Sequence, residues 1–437
     1  MSATATRTGA AVAVRRASAL AFRNYRLFFA GQGISLVGTW VARIATSWAV
    51  YELTRSTWQL GLVSFLSLAP TVVLSPMAGV LADRWDRRRT LVGTQLVFMA
   101  LAATLAALAF AGALDVSHLY AVSLLQGVVV ALDTPARQAF VTDMVEDRAA
   151  LPSAIALNSS LFNGSRLVGP AIGGALLAAG GTAWCFTIDA LSFVAVIGSL
   201  LAMRLAPHVT PAPHRDGVRG AFAEGLAFVR GSPAIRALLL LIALVGTFAA
   251  PYGTLLPALA TERLGAGAGG FGALSASGGV GALVAAWMLA RRRSVVGLGR
   301  WIAFALLTFA AALAALAMVR EATLAMGVLA IAGGALVLAS AAANTILQTI
   351  VPDALRGRVL ALYGVAFLGS VPIGSLLAGA VAARIGVAPT IAASAAAALA
   401  LCAWFARTLP TLRTELRRTY RELGLIRRTG EHAVVES

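Results

Sequence analysis

Runs of about twenty apolar residues, separated by short clusters rich in arginine, set the rhythm of this chain. A hydrocarbon core about 30 Å thick takes about 20 mainly apolar residues per helical crossing. Twelve segments meet that requirement, near 27–51, 60–82, 91–112, 117–136, 154–179, 183–203, 236–260, 270–290, 301–319, 323–345, 357–383 and 388–408. Numbered as spans 1 to 12, they predict an all-α membrane protein, because a helix satisfies its own backbone polar groups in lipid.

An even number of crossings puts both termini on one face, and the arginines say which. Arg55, Arg263, Arg320 and Arg384 fall in loops of the opposite face, Arg43 and Arg166 fall within spans, and the rest flank the ends that share the termini. That bias makes the termini cytoplasmic and the location the inner (cytoplasmic) membrane. Residues 1–26 carry Arg7, Arg15, Arg16, Arg23 and Arg26, and no small-residue cleavage site follows, so span 1 is expected to be retained.

The longest internal loop divides the spans six and six. Around 206–235, Pro207, Pro211 and Pro213 break any continuing helix, and after them Phe222, Leu226 and Val229 share one face of a short amphipathic helix. The expected units are a six-helix bundle at 27–205, the linker 206–235, a second bundle at 236–409 and a basic tail at 410–437. VEDRAALPSAIAL from Val145 aligns without gaps onto VPDALRGRVLALY from Val351, and Gly169 and Gly174 then fall opposite Gly374 and Gly379. Spans 4 and 5 thus echo spans 10 and 11, as two parallel-related halves would.

Composition narrows the class. Of 437 residues 59% are hydrophobic and 12% charged, with mean hydropathy +0.84, against about 25% charged in soluble domains. All 35 basic residues are arginine, giving a net charge of +17, yet they sit in short loops between apolar runs and not on a folded basic face. Nucleic-acid binding is therefore not expected. Cys185 and Cys402 lie far apart in or beside apolar segments and imply neither a disulfide framework nor a metal site. No GxxxxGK[ST] loop is present and no lysine exists to complete one, so an ATP-driven pump is not expected. No enzymatic activity and no cofactor are expected.

Gly79 to Leu91, GVLADRWDRRRTL, is a charged loop between spans 2 and 3. Gly79, Leu81, Ala82, Asp83, Arg84, Arg87 and Arg88 fit GxLADRxGRR, which resembles the loop between helices 2 and 3 of the major facilitator superfamily of secondary transporters. Asp86 stands where the general pattern has glycine, as in the branch of enterobactin exporters and macrolide efflux proteins, which RSTWQLG from Arg55 also resembles. In span 5, SRLVGPAIGG includes Arg166, Gly169, Pro170, Gly173 and Gly174, similar to the GPxxGG core of the antiporter motif of drug/proton exporters, with Ser165 replacing a glycine often seen there. The resemblance implies two bundles, a central site and alternating access. It also implies that Asp83 faces the start of helix 11 and that Asp133, near the end of span 4, pairs with Arg87 as part of the gate.

Charged groups inside a bilayer cost roughly 3 kcal/mol or more, so each needs a partner or a role. Arg43, Arg166, Asp133 and Asp189 are such groups. At 1.5 Å per residue Arg43 lies roughly 24 Å from the start of span 1, and Asp189 roughly 9 Å from the outer end of span 6. These are similar depths, so Asp189 is either paired with Arg43, with Arg166 a rival partner, or free to carry a proton. Gln32, Trp40, Gln126, Tyr252 and Asn344 lie on helices that line the cavity in the family fold. The function expected is export of a small amphipathic molecule, drug or siderophore-like, by a monomer that exchanges it for protons. An importer or symporter of the same fold and a non-transporting receptor or assembly factor stand as alternatives.

Overall fold

Residues 18–145, 147–204, 218–292 and 294–422 are described by a computed structural model, in which the described elements are helices of α, π and 3-10 type. Eleven of them are long and apolar enough to cross a membrane. One, Leu151–Ala202, has 52 residues, which is about 78 Å of helix and more than twice the thickness of the bilayer core. Gly181 breaks it at φ 77° and ψ −172°, a backbone conformation that only glycine adopts readily. It is therefore spans 5 and 6 joined without a loop, and the crossings number twelve.

The remaining spans run Arg23–Thr54, Thr57–Arg84, Arg87–Phe110 and Val116–Met144 in the first half, and Gly267–Ala290, Leu298–Met318, Ala322–Ile350, Asp353–Ile385 and Val387–Glu422 in the second. Span 7 is irregular. After Pro233–Leu244 it passes through a π turn at Val245–Ala249, a 3-10 stretch at Ala250–Leu255 and a second π turn at Leu259–Arg263. Pro251 and Pro257 each lack the amide that a regular helix would use, and the hydrogen-bond register shifts around them.

Each half is a six-helix bundle. Span 1 packs against spans 5 and 6, and span 2 against span 4, while span 8 packs against span 10 and span 9 against spans 10 and 12. The halves meet where span 2 lies along span 11 and span 5 along span 8. The internal repeat has a structural counterpart, because Val145 and Val351 are the extended C-cap residues of spans 4 and 10.

The connecting helix, Val218–Gly231, buries Val229, and its Glu224 pairs with Arg358 of span 11 at 2.7 Å. The side chain of Phe222 lies outside the described residues. So do the linker stretch 205–217 and the tail beyond Glu422. Up to Glu422 the expected basic tail is instead a continuation of span 12, with Leu412, Leu416 and Tyr420 buried. Its Glu415 accepts hydrogen bonds from Ser232 Oγ at 2.7 Å and the Ala234 amide at 3.0 Å, capping the start of span 7.

Candidate transport site and gates

Two faces of the molecule are distinguished by the chain itself: the terminal face, where spans 1 and 7 begin, and the distal face, where they end. At the terminal face the loop between spans 2 and 3 is held by a cap of its own and by acceptors on spans 4 and 6. Asp86 caps span 3, its Oδ1 accepting from the Arg89 amide at 2.7 Å, which gives the aspartate in place of the family's glycine a structural role. Arg87 donates to both oxygens of Asp143, at 2.9 and 3.1 Å, and to the Ala139 carbonyl. Arg88 donates to the Leu201 carbonyl at 2.7 Å, a cation placed at the negative end of span 6. The backbone of Gly79, Asp83 and Arg84 forms the last turns of span 2, but their side chains, and hence the contact expected between Asp83 and span 11, lie outside the described residues.

Asp133 is not the partner of Arg87. It is buried between spans 3 and 4, where Oδ1 accepts from Thr94 Oγ1 at 2.7 Å and Gln95 Nε2 at 2.8 Å, and Oδ2 is bound by Arg137. Asp143 stands ten residues further along span 4, roughly 15 Å nearer the terminal face, and is level with the loop where Asp133 is not. Span 4 was expected to end near 136, which put Asp133 at its end; the helix runs on to Met144, and Asp143 takes that place.

The distal face is shut by contacts between the two bundles. Tyr51, at the end of span 1, donates to Glu262 at the end of span 7, and Thr57 Oγ1 donates to the Gly379 carbonyl at 3.1 Å. Trp48 stacks on Phe271 of span 8 with ring centroids 6.0 Å apart. The glycines of span 5 make the closest approach. Gly169 leaves room for Trp40, and a methyl group at Gly173 would come within 3.2 Å of Val41 Cα. A methyl group at Gly174 would come within 2.5 Å of Gly272 Cα, so the backbones of spans 5 and 8 touch with no side chain between them. Gly169 and Gly173 thus seat span 5 on span 1, and Gly174 seats the first bundle on the second.

Between these faces lies a cationic and aromatic cluster. Arg43 is accessible although it stands in the middle of span 1, and its guanidinium covers the Trp40 ring at 4.9 Å from the centroid. Trp40 meets the edge of Phe162 at 6.1 Å and 66°. Arg166 follows Phe162 by one turn of span 5 and is half-buried. Phe162 was not singled out by sequence; four positions before Arg166 on one helix face was the available signal.

Asp189 is buried at 2% exposure, and its Oδ1 has no hydrogen-bond partner. It packs where span 6 crosses span 1 at Gly38, whose methyl group, if present, would lie 3.2 Å from Asp189 Cα. Arg43 is five residues on, roughly 140° around the helix, and faces away from span 6. The expected pair is not formed, since the depths agree and the faces do not. Gln32 and Tyr252 also depart from the expected cavity lining, for Gln32 is 3% exposed and Tyr252 is buried edge-on to Phe309 at 5.8 Å. Trp40, Gln126 and Asn344 are half-buried, and neither of the latter two side chains forms a hydrogen bond among the described residues.

Two six-helix bundles that meet along spans 2 and 11 and spans 5 and 8, shut at one face around charged and aromatic groups, define a major facilitator transporter. The chain belongs to the transmembrane secretion effector family, whose model matches residues 16–420. It is 31% identical to the staphyloferrin A transporter of Staphylococcus aureus over 43% of this chain, and it spans about half of that relative's length (47%). Macrolide efflux protein A of Streptococcus pyogenes is 27% identical over 55% of this chain and 60% of its own. The enterobactin exporter EntS of Escherichia coli is 27% identical over 85% of this chain and 88% of its own. Among solved structures, a bacterial homologue of the lysosomal transporter Spinster, inward-facing and occupied, superposes with TM-score 0.67 at 16% identity, covering 94% of this chain and 99% of that one. The peptide transporter POT with sulfate superposes with TM-score 0.69 at 15% identity, covering 90% and 95%. These likenesses establish the fold.

Proposed function

We propose that this transporter exports a small amphipathic molecule across the inner membrane by alternating access, exchanging it for protons. The observation that carries the reading is the crossing of Gly174 on Gly272, because the antiporter-like segment itself forms the contact that closes the distal face. The terminal face is then cytoplasmic, as the arginine distribution favours. Substrate enters the central cluster from that side and leaves when the bundles rock and the distal contacts part. Asp189 is the candidate proton carrier, supported by its burial and by an oxygen without a donor, which leave its protonation open to change with the packing of spans 1 and 6.

The names of the relatives favour export of siderophore-like or drug-like compounds. Vesicles reconstituted in known orientation, with the distal compartment made acid, should move such a compound from the terminal to the distal side. Accumulation in the direction of proton flow would identify a symporter instead. Growth of an overexpressing strain across a panel of toxic compounds and siderophores selects the compound to load.

A further inference from the structure

Arg43 and Arg166 are cations within membrane spans that no carboxylate of the protein neutralises among the described residues. Other arginines of the spans do find acids: Arg87 pairs with Asp143, Arg137 with Asp133 and Arg358 with Glu224. Among the described residues neither Arg43 nor Arg166 has a carboxylate within ion-pair distance or a hydrogen-bond acceptor, and Asp189, the buried acid at the depth of Arg43, lies on the far side of span 1 at Gly38. The contact of Trp40 with Phe162 brings the helix faces that carry Arg43 and Arg166 together. Charged groups within a span are costly unless they pair or face a polar cavity, and an unpaired cation there is a ready site for an anion from outside.

The surroundings define that partner. Trp40 and Phe162 form an edge-to-face pair directly beside the guanidiniums, with Phe162 half exposed at 51%. Trp40 and Arg43 are three apart on span 1, and Phe162 and Arg166 four apart on span 5, so each helix contributes one ring and one cation to a common patch. Gly169, which admits Trp40 against span 5, fixes the distance between the two helices. A guanidinium is a fork of N–H donors matched to a planar carboxylate or similar acid, and a ring pair is matched to a flat apolar body.

We propose that the central site takes an organic anion, with its acidic group held by Arg43 and Arg166 and its aromatic body against Trp40 and Phe162, and that it disfavours cationic amphiphiles. This deepens the transport reading and rests on it for the location of the site, whereas binding needs neither a proton gradient nor a direction of transport.

Two dyes built on the same xanthene ring separate the possibilities. Carboxyfluorescein is anionic and rhodamine 6G cationic at neutral pH, and binding of each to the full chain in lipid nanodiscs is read by dye anisotropy and by quenching of tryptophan emission. The wild-type protein should bind carboxyfluorescein at least tenfold more tightly. Arg43→Gln and Arg166→Gln should each weaken it about tenfold or more, the size of a charge-assisted hydrogen bond, and leave rhodamine 6G unchanged or tighter. Arg43→Lys should retain most of the preference for the anion. Equal affinity of the wild-type protein for both dyes, which no folding defect can mimic, overturns the proposal, as does undiminished anion binding by the Arg43→Gln/Arg166→Gln double variant. Gradient-driven export of rhodamine 6G without any preference for carboxyfluorescein would refute the anion site and leave the exporter reading standing. Charge-selective binding without gradient-driven transport would do the reverse.

Discussion

Tyr51 and Glu262 join the two bundles at the distal face, the phenol of span 1 donating to the carboxylate of span 7 while the Arg55 guanidinium lies 5.7 Å above the phenol ring. Tyr51→Phe removes the hydroxyl and keeps the ring. A hydrogen bond to a charged group contributes about 1.5–3 kcal/mol, so its loss should shift the balance toward the distal-open form roughly ten- to a hundredfold. Labelling of an Arg43→Cys reporter, in a background with Cys185 and Cys402 replaced by alanine, by a maleimide applied at the distal side should accelerate accordingly. Unchanged labelling would show that Tyr51 does not hold the gate.

Gly174→Ala places a methyl group against Gly272 Cα and should cost about 1–3 kcal/mol of distal closure, with transport reduced and thermal stability lowered. Gly164→Ala, on the same helix with nothing within 4 Å, should be neutral or slightly stabilising. Equal effects at the two positions would mean that general helix propensity, and not the crossing, is being measured.

The partner of Arg87 can be identified by charge exchange. Arg87→Asp and Asp143→Arg should each impair transport, and the combined exchange should recover part of it, with a coupling of about 0.5–3 kcal/mol. The same exchange made with Asp133 should recover nothing, because Asp133 is already engaged by Thr94, Gln95 and Arg137.

Asp189→Asn should bind substrate as the wild-type protein does and yet fail to couple it to protons, leaving counterflow intact and gradient-driven efflux lost. Efflux at the normal rate in reconstituted vesicles removes Asp189 from coupling. Collapse of the fold is not expected, since the amide fits the same volume and one oxygen of the aspartate already lacks a donor.

The crossings were legible because lipid imposes a length on every helix, and twenty apolar residues mark one whether or not a loop follows. Spans 5 and 6 show this, for their apolar runs are distinct in sequence although a single glycine, Gly181, replaces the loop between them. Depth was legible only where the end of a span was: span 4 runs to Met144, beyond the expected 136, so Asp133 lies deeper than its expected place at the loop and Asp143 stands there instead. Direction around the helix was not legible, since Arg43 and Asp189 were matched by depth and are separated by face. Tyr51 and Glu262 are 211 residues apart, and nothing local to either announces the other. The shifts of register in span 7 follow from Pro251 and Pro257, which sequence displays, but whether a proline kinks, slips or is absorbed depends on the packing around it.

The backbone contact of Gly174 on Gly272 also bears on the friction of the cycle. Where long side chains interlock, two helices part only after rotamers change and filled pockets empty. Here the touching surfaces are smooth main chain, held by many small dispersion contacts of about 0.1–0.2 kcal/mol each. Such a surface behaves as a bearing and not as a latch: it bears load in the closed state and lets the bundles roll apart gradually, leaving the discrete work of opening to the hydrogen bonds at its rim.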